Sequence, residues 1–163
     1  MSDYFISPTY GKMTFKQVVN DLADFILKKP HETYRLIVGT DSEGKEKPNF
    51  VCAIVLHRKG KGGRYFWKKI KSEKKYTFRT RIYEETMISL EMAIKLRKAL
   101  EKRLSKIKPK NYKDLEIHTD IGQYGETKEM IKEIVGMIKG NGFKVKIKPE
   151  SFAATSIADH CLR

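Results

Sequence analysis

The chain predicts a mixed α/β fold: a five-stranded sheet of spatial order 3-2-1-4-5, strand 2 antiparallel, with helices on both faces and an extra helix at the amino end. Three observations carry this. Three strand-like runs follow one another with only turn material between them, the signature of a meander. Two more strand-length runs come later, each preceded by a helical pattern, as in the crossovers of a parallel sheet. The first run is apolar on both parities, which suits a central strand covered on both faces.

Taken in order, the first helix spans about Thr14 to Leu27. The capping box Thr14-x-x-Gln17 opens it, Phe15, Val18, Val19, Leu22, Ala23, Ile26 and Leu27 recur at helical spacing, and Pro30 closes it. The meander follows as Tyr34 to Thr40, Phe50 to His57 and Arg64 to Ile70, separated by DSEGKEKPN and RKGKGG. A long helix runs from roughly Arg81 to Ser105, with Ile82, Leu90, Ala93, Ile94, Leu100 and Leu104 on its apolar side. Leu115 to Asp120 is the fourth strand, Thr127 to Lys139 a helix stopped by Gly140-Asn141-Gly142, and Phe143 to Lys148 the fifth strand. The terminal SFAATSIADHCLR reads as a short helix. A right-handed crossover by the long helix sets the fourth strand parallel beside the first, and the fifth beyond it.

At 163 residues the chain is expected to form one domain, 1–163, with a core that needs no staples. Cys52 and Cys161 are far apart and form no CxxC pair, which argues against a disulfide framework or a structural zinc site. No apolar run approaches a membrane span, and SDYFISPTY after Met1 lacks the basic flank and apolar core of a signal peptide. A cytoplasmic location and no membrane partner are expected; the oligomeric state is not written in the sequence. Lys and Arg number 34 against 20 Asp and Glu, a formal net charge of +14, which makes a nucleic-acid partner, RNA or DNA, a reasonable expectation. A solvated lysine-rich surface has the same composition, so charge alone implies no chemistry.

Chemistry enters through the carboxylates. Asp41, in RLIVGTDSEG, ends the first strand, and Asp120, in IHTDIGQYG, ends the fourth. In the 3-2-1-4-5 order these strands are neighbours at the point where the chain path diverges, the usual ligand position of open α/β sheets. Adjacent strands lie about 4.8 Å apart, and like charges that close are costly unless a proton or a cation intervenes. The first turns of the long helix pass the same edge and bring Glu84 and Glu85. Glu85 shares a side with Ile82, Ser89, Met92 and Ala93 and is favoured to point inward, with Glu84 as the alternative. Asp159, in SIADHCLR, is delivered to this edge by the fifth strand. Four acids at one edge form an all-oxygen donor set of the kind that suits Mg²⁺ or Mn²⁺. Ser42 beside Asp41, His118 behind Asp120 and His160 after Asp159 are candidates for a supporting role.

The element order, with Asp41 in IVGTDS, Glu85 in YEET, Asp120 in HTDIGQY and Asp159 in IADH, resembles the ribonuclease H-like fold and its four-carboxylate metal site. More narrowly, GTDS, RKGKGG, HTDIG and the KPESFAATSIAD ending are similar to the YkuK-type family of predicted ribonuclease H-like nucleases, over about Thr14 to Arg163. The resemblance implies phosphodiester hydrolysis with two ions about 3.5–4 Å apart. It makes Asp41 the bridging ligand, Glu85 and Asp120 ligands of one ion and Asp159 of the other, all four being catalytic. Ribonucleases H often carry a histidine in the loop before the last helix; KIKPESFAAT has none, and no motif for reading an RNA/DNA hybrid is present.

Arg58, Lys59, Lys61 and Arg64 around the second hairpin, with Lys68, Arg79 and Arg81 leading into the long helix, are the expected nucleic-acid contacts. Tyr65, Phe66, Trp67, Tyr76 and Phe78 are interleaved with them and offer faces for stacking on unpaired bases. A non-catalytic nucleic-acid-binding module on the same fold is the alternative.

Overall fold

The computed structural model describes residues 4–105, 115–123 and 125–151. Its sheet has seven strands rather than the expected five: β1 (Phe5–Ser7), β2 (Gly11–Met13), β3 (Tyr34–Ser42), β4 (Asn49–Arg58), β5 (Gly63–Lys71), β6 (Glu116–His118) and β7 (Lys144–Lys146). They lie in the order β2-β1-β5-β4-β3-β6-β7. β4 runs antiparallel to both β3 and β5, whereas β6 is parallel to β3 and β7 parallel to β6. The two additional strands form a hairpin of three residues each on the outer edge of β5, joined there through Ile6 and Trp67. Segments that short show no alternation to read, which is why the sequence pattern passes over them.

Three α-helices are described: α1 (Phe15–Lys28), α2 (Phe78–Arg103) and α3 (Ile131–Gly140), the last entered through a 3₁₀ turn at Lys128–Met130. Both halves of the Thr14/Gln17 capping box are formed. A second box opens α2 one turn earlier than the expected Arg81: Thr77 Oγ1 accepts from the Thr80 N–H, and Thr80 Oγ1 accepts from the Thr77 N–H. Two threonines in this role replace the usual Glu or Gln partner, so the start is hard to read from sequence.

Helices on both faces were expected, but among the described residues all three lie on one. Alternation along β3 turns Leu36, Val38, Thr40 and Ser42 to that face, in register with Leu56, Ile54, Cys52 and Phe50 of β4. Leu36, Val38, Cys52 and Ile54 form one core with Val18, Leu22 and Ile26 of α1, Leu96 and Leu100 of α2 and Ile134 and Ile138 of α3. The opposite face carries Arg35, Ile37, Gly39 and Asp41; its Ile37 and, on β4, Val51 and Ala53 are also buried. The expected terminal helix falls outside the described residues.

A polar clamp joins α1 to the sheet. Tyr34, fully buried, donates its hydroxyl to the Lys29 carbonyl at 2.7 Å and accepts from Arg58 Nε at 3.1 Å. Arg58 Nη2 donates to the Phe25 carbonyl at 2.7 Å, and its guanidinium lies 3.8 Å from the Phe25 ring centre. These carbonyls end α1 and have no partner within the helix, so a cation there also offsets the helix dipole. Tyr34→Phe leaves the buried Arg58 Nε–H without its partner, while the Lys29 carbonyl keeps the Glu32 N–H, and should cost about 1–3 kcal/mol in urea denaturation monitored by circular dichroism, with no change in secondary structure.

Candidate carboxylate site

The site is built on the parallel pairing of β3 with β6, in which Ile37, Val38 and Gly39 lie opposite Glu116, Ile117 and His118. Two residues further along each strand stand Asp41 and Asp120. The β6–β7 ladder continues past the end of β6, with the Thr119 N–H donating to the Lys146 carbonyl and the Lys148 N–H to that of Ile121. Asp120 is therefore held by paired backbone. Asp41 Oδ1 accepts from the Ser42 N–H at 2.9 Å, which fixes its carboxylate at the strand end.

From the other face comes α2. Its buried side is apolar at Ile82, Leu90, Ala93, Leu96 and Leu100, but Glu85, Thr86 and Ser89 are buried with them. These polar groups meet polar groups of β3: Ser89 Oγ lies 2.7 Å from Thr40 Oγ1, and the Ser42 hydroxyl donates to the Glu85 carboxyl. Arg81 Nη1 donates to Ser42 Oγ and to the Glu43 carbonyl, both at 3.1 Å. The sequence left Glu84 and Glu85 open. Here Glu85 is the buried one, while Glu84 lines a groove of about 510 Å³ on the β4–β5 side of the helix.

Burial pushes the Glu85 carboxyl up to about 8, against the Ser42 hydrogen bond; the negative charge of Asp41 raises it further, Arg81 opposes, and Asp120 adds to the rise. The three acids are thus within electrostatic reach of one another. Glu85, Thr40, Ser89, Thr119 and Asp120 line a cavity of about 10 Å³, space for one water-sized occupant at most. Thr119 Oγ1 is buried there without a hydrogen-bond partner among the described residues.

Behind Asp120, His118 is buried, with Nε2 3.2 Å from Glu116 Oε1. Glu116 in turn accepts Arg35 Nε at 2.9 Å and Nη2 at 2.8 Å. Burial works to raise the Glu116 carboxyl, but the hydrogen bonds and charges of Arg35 and His118 outweigh it and bring it down to about 2. Asp120 has a cation of its own: Lys148 Nζ lies 3.0 Å from Oδ1.

Comparison with known proteins agrees with this architecture. The family model described as Ribonuclease H-like matches residues 17–163. The chain is also 34% identical, over 174 residues and 98% of both chains, to a Bacillus subtilis (strain 168) protein named "Uncharacterized protein YkuK". The chain belongs to the ribonuclease H-like family, and within it to the YkuK type. No solved structure matches it.

Ribonuclease H-like folds are often metal-dependent, and the donor chemistry here fits a hard cation: carboxylates in mutual repulsion, with hydroxyl groups and an orphaned threonine oxygen beside them. The arrangement is not closed, however. Among the described residues no group of three or more His, Cys, Asp or Glu is placed to hold a metal ion. Two of the acids face other partners, Glu85 the Ser42 hydroxyl and Asp120 the Lys148 ammonium. Asp159 and His160 lie outside the described residues.

The basic residues divide into two groups. β4 runs antiparallel to β3, so the β4–β5 hairpin stands at the start of β3, roughly 25 Å from the acids at about 3.3 Å per residue. Lys59 and Lys61 are there, exposed, with Lys61 paired to Glu32. Arg64 faces Asp21 at 3.4 Å and the Phe25 ring. Arg58 is not on the surface at all, being buried in the clamp on α1. Of the expected nucleic-acid contacts, the hairpin group therefore stands away from the acids, and Arg58 is turned into the core. Arg81 is at the site itself, Arg79 is exposed two residues before it, and Lys68 is level with Thr40 through Cys52. No described helix is long and apolar enough to cross a membrane.

Lys148 and the Arg35–Glu116 pair are the members that sequence reasoning missed. Alternate lysines of β7 and beyond, Lys144, Lys146 and Lys148, come level with Glu116, His118 and Asp120, but only the register of β7 against β6 shows which groups they face. The raised carboxyl of Glu85 has a measurable consequence. Between the ordinary value of 4.5 and about 8 the folded chain holds a proton that the unfolded chain has lost, so this group lowers stability as pH rises through that window. Glu85→Gln removes the penalty: denaturation at pH 9 should show it more stable than wild type, by at most about 5 kcal/mol, with the difference vanishing near pH 4.

Proposed function

We propose that this protein is a single-domain, metal-dependent nuclease that hydrolyses phosphodiester bonds in RNA or DNA, using Asp41, Glu85 and Asp120 with Asp159 as the fourth acid. The observation that carries this reading is the meeting of two strand-end aspartates with a buried helix glutamate whose carboxyl both of them raise. A pair of Mg²⁺ or Mn²⁺ ions would supply an activated water and positive charge at the leaving oxygen. Asp41 and Asp120 present carboxylates from adjacent strands, and Glu85 meets them from α2. Ser42 and Arg81 favour the charged form of Glu85, which must lose its proton to act as a ligand. Arg81, Arg79 and Lys68 would contact phosphates of the bound strand, with His118 oriented by Glu116 as support.

A second reading has its own support. Glu85 turned to Ser42 and Asp120 turned to Lys148 also suit a nucleic-acid-binding module without turnover. A panel of single-stranded, duplex, hybrid and branched substrates with Mg²⁺ or Mn²⁺ separates the two. On the nuclease reading, Asp41→Asn, Glu85→Gln and Asp120→Asn each lower cleavage by about 100-fold or more. Cleavage untouched by all three overturns the site. Strongly salt-dependent binding with no cleavage, unchanged by these substitutions, favours the module.

The positions of the basic residues give a separate expectation. Arg79→Glu and Lys68→Glu should weaken binding of a labelled oligonucleotide and lower its salt slope. Lys59→Glu and Lys61→Glu, at the far end of β3, should change affinity less than these at physiological salt, where charges that distant are screened.

A further inference from the structure

Lys148 gives the acidic edge a cation from within the chain. It lies two residues past the end of β7, its backbone N–H is held by the Ile121 carbonyl at 2.8 Å, and its ammonium is 3.0 Å from Asp120 Oδ1. The approach is made close by Gly122: a Cβ there would come within 3.1 Å of Lys148 Cβ. Both partners remain partly open, with 57% of the lysine side chain and 39% of the aspartate side chain exposed. An ion pair of that exposure is weak enough to exchange with a competing cation.

We infer that Lys148 is the resident counter-ion of the carboxylate site, a positioning residue whose ammonium competes with divalent metal for Asp120. The inference rests on the metal-dependent reading proposed above. It explains why the donor set is chemically suited to a hard cation and yet, among the described residues, not arranged as a three-ligand group. While Lys148 holds Oδ1, Asp120 is neutralised and directed toward β7. When the ammonium is exchanged, the carboxylate is freed to join Asp41 and Glu85. A lysine in this place therefore sets the metal concentration at which the site assembles.

The test is calorimetric titration of Mn²⁺ alone into the full chain, without nucleic acid. Lys148→Met should bind Mn²⁺ about two- to fivefold more tightly than wild type, the size of an exposed ion pair, while Lys148→Arg stays near wild type. Lys139→Met, an exposed lysine at the end of α3, controls for net charge and should change nothing. Affinity that is unchanged or weaker in Lys148→Met overturns the inference and leaves the metal-dependent reading standing. Equal tightening in Lys139→Met also overturns it, since net charge then accounts for the effect. If no variant binds Mn²⁺, both the inference and the reading it rests on fail. Because the Lys148 side chain is more than half exposed, the substitution should fold, which thermal denaturation of each variant checks.

Discussion

The parallel pairing of β3 with β6 is the constraint on which the acidic edge depends. The pairing of β3 with β6 ends where Gly39 lies opposite His118, and Asp41 and Asp120 follow at equal distance. β4 offers no relief, since it places Val51 opposite Asp41. Compensation has to come from elements beyond the central pair. Among the described residues Lys148, past the end of β7, supplies it to Asp120, and the Arg81 guanidinium of α2 reaches Ser42 beside Asp41.

The long helix carries the second half of the arrangement. An amphipathic helix on a sheet is stabilised by burying apolar groups, so a glutamate on its inward face costs free energy unless something holds it. Ser42 and Arg81 reduce that cost without removing it, and the carboxyl stays protonated near neutrality. Contrast Glu116, equally close to the sheet core: a bidentate arginine outweighs its burial and keeps it ionised. The same residue type thus takes opposite protonation states a short distance apart. The difference lies in where the guanidinium points, at the carboxylate itself for Arg35 and one hydroxyl removed for Arg81.

Much of this was legible in the sequence. Apolar runs ending in Asp placed Asp41 and Asp120, because strand ends can be read from where hydrophobicity stops. Helical spacing favoured Glu85 over Glu84, because a period of 3.6 fixes which residues share a face. Three features were not legible, for different physical reasons. The three-residue strands β1 and β2 are too short to show a period. Lys148 and the Arg35–Glu116 pair depend on register across strands far apart in the chain, which no local pattern encodes. The helix cap at Thr77 uses a residue pair outside the usual preference. The basic hairpin is the opposite case, legible but not drawn: in a meander the second strand returns to the start of the first, so the topology already put RKGKGG at the end opposite Asp41.

That separation gives the positive charge two distinct physical roles. Screening at physiological salt acts over about 8 Å, so lysines roughly 25 Å from the acids cannot fix the geometry of a phosphate beside Asp41. They contribute to the field of the whole molecule, which raises the local concentration of a polyanion and the rate of encounter. Placement belongs to groups on the level of the acids: Arg81 at Ser42, and Lys68 and Lys69 of β5, which stand level with Thr40 and Asp41 across β4. On the nuclease reading, the net charge of +14 attracts the nucleic acid, while its local distribution decides where along the strand the acids would act.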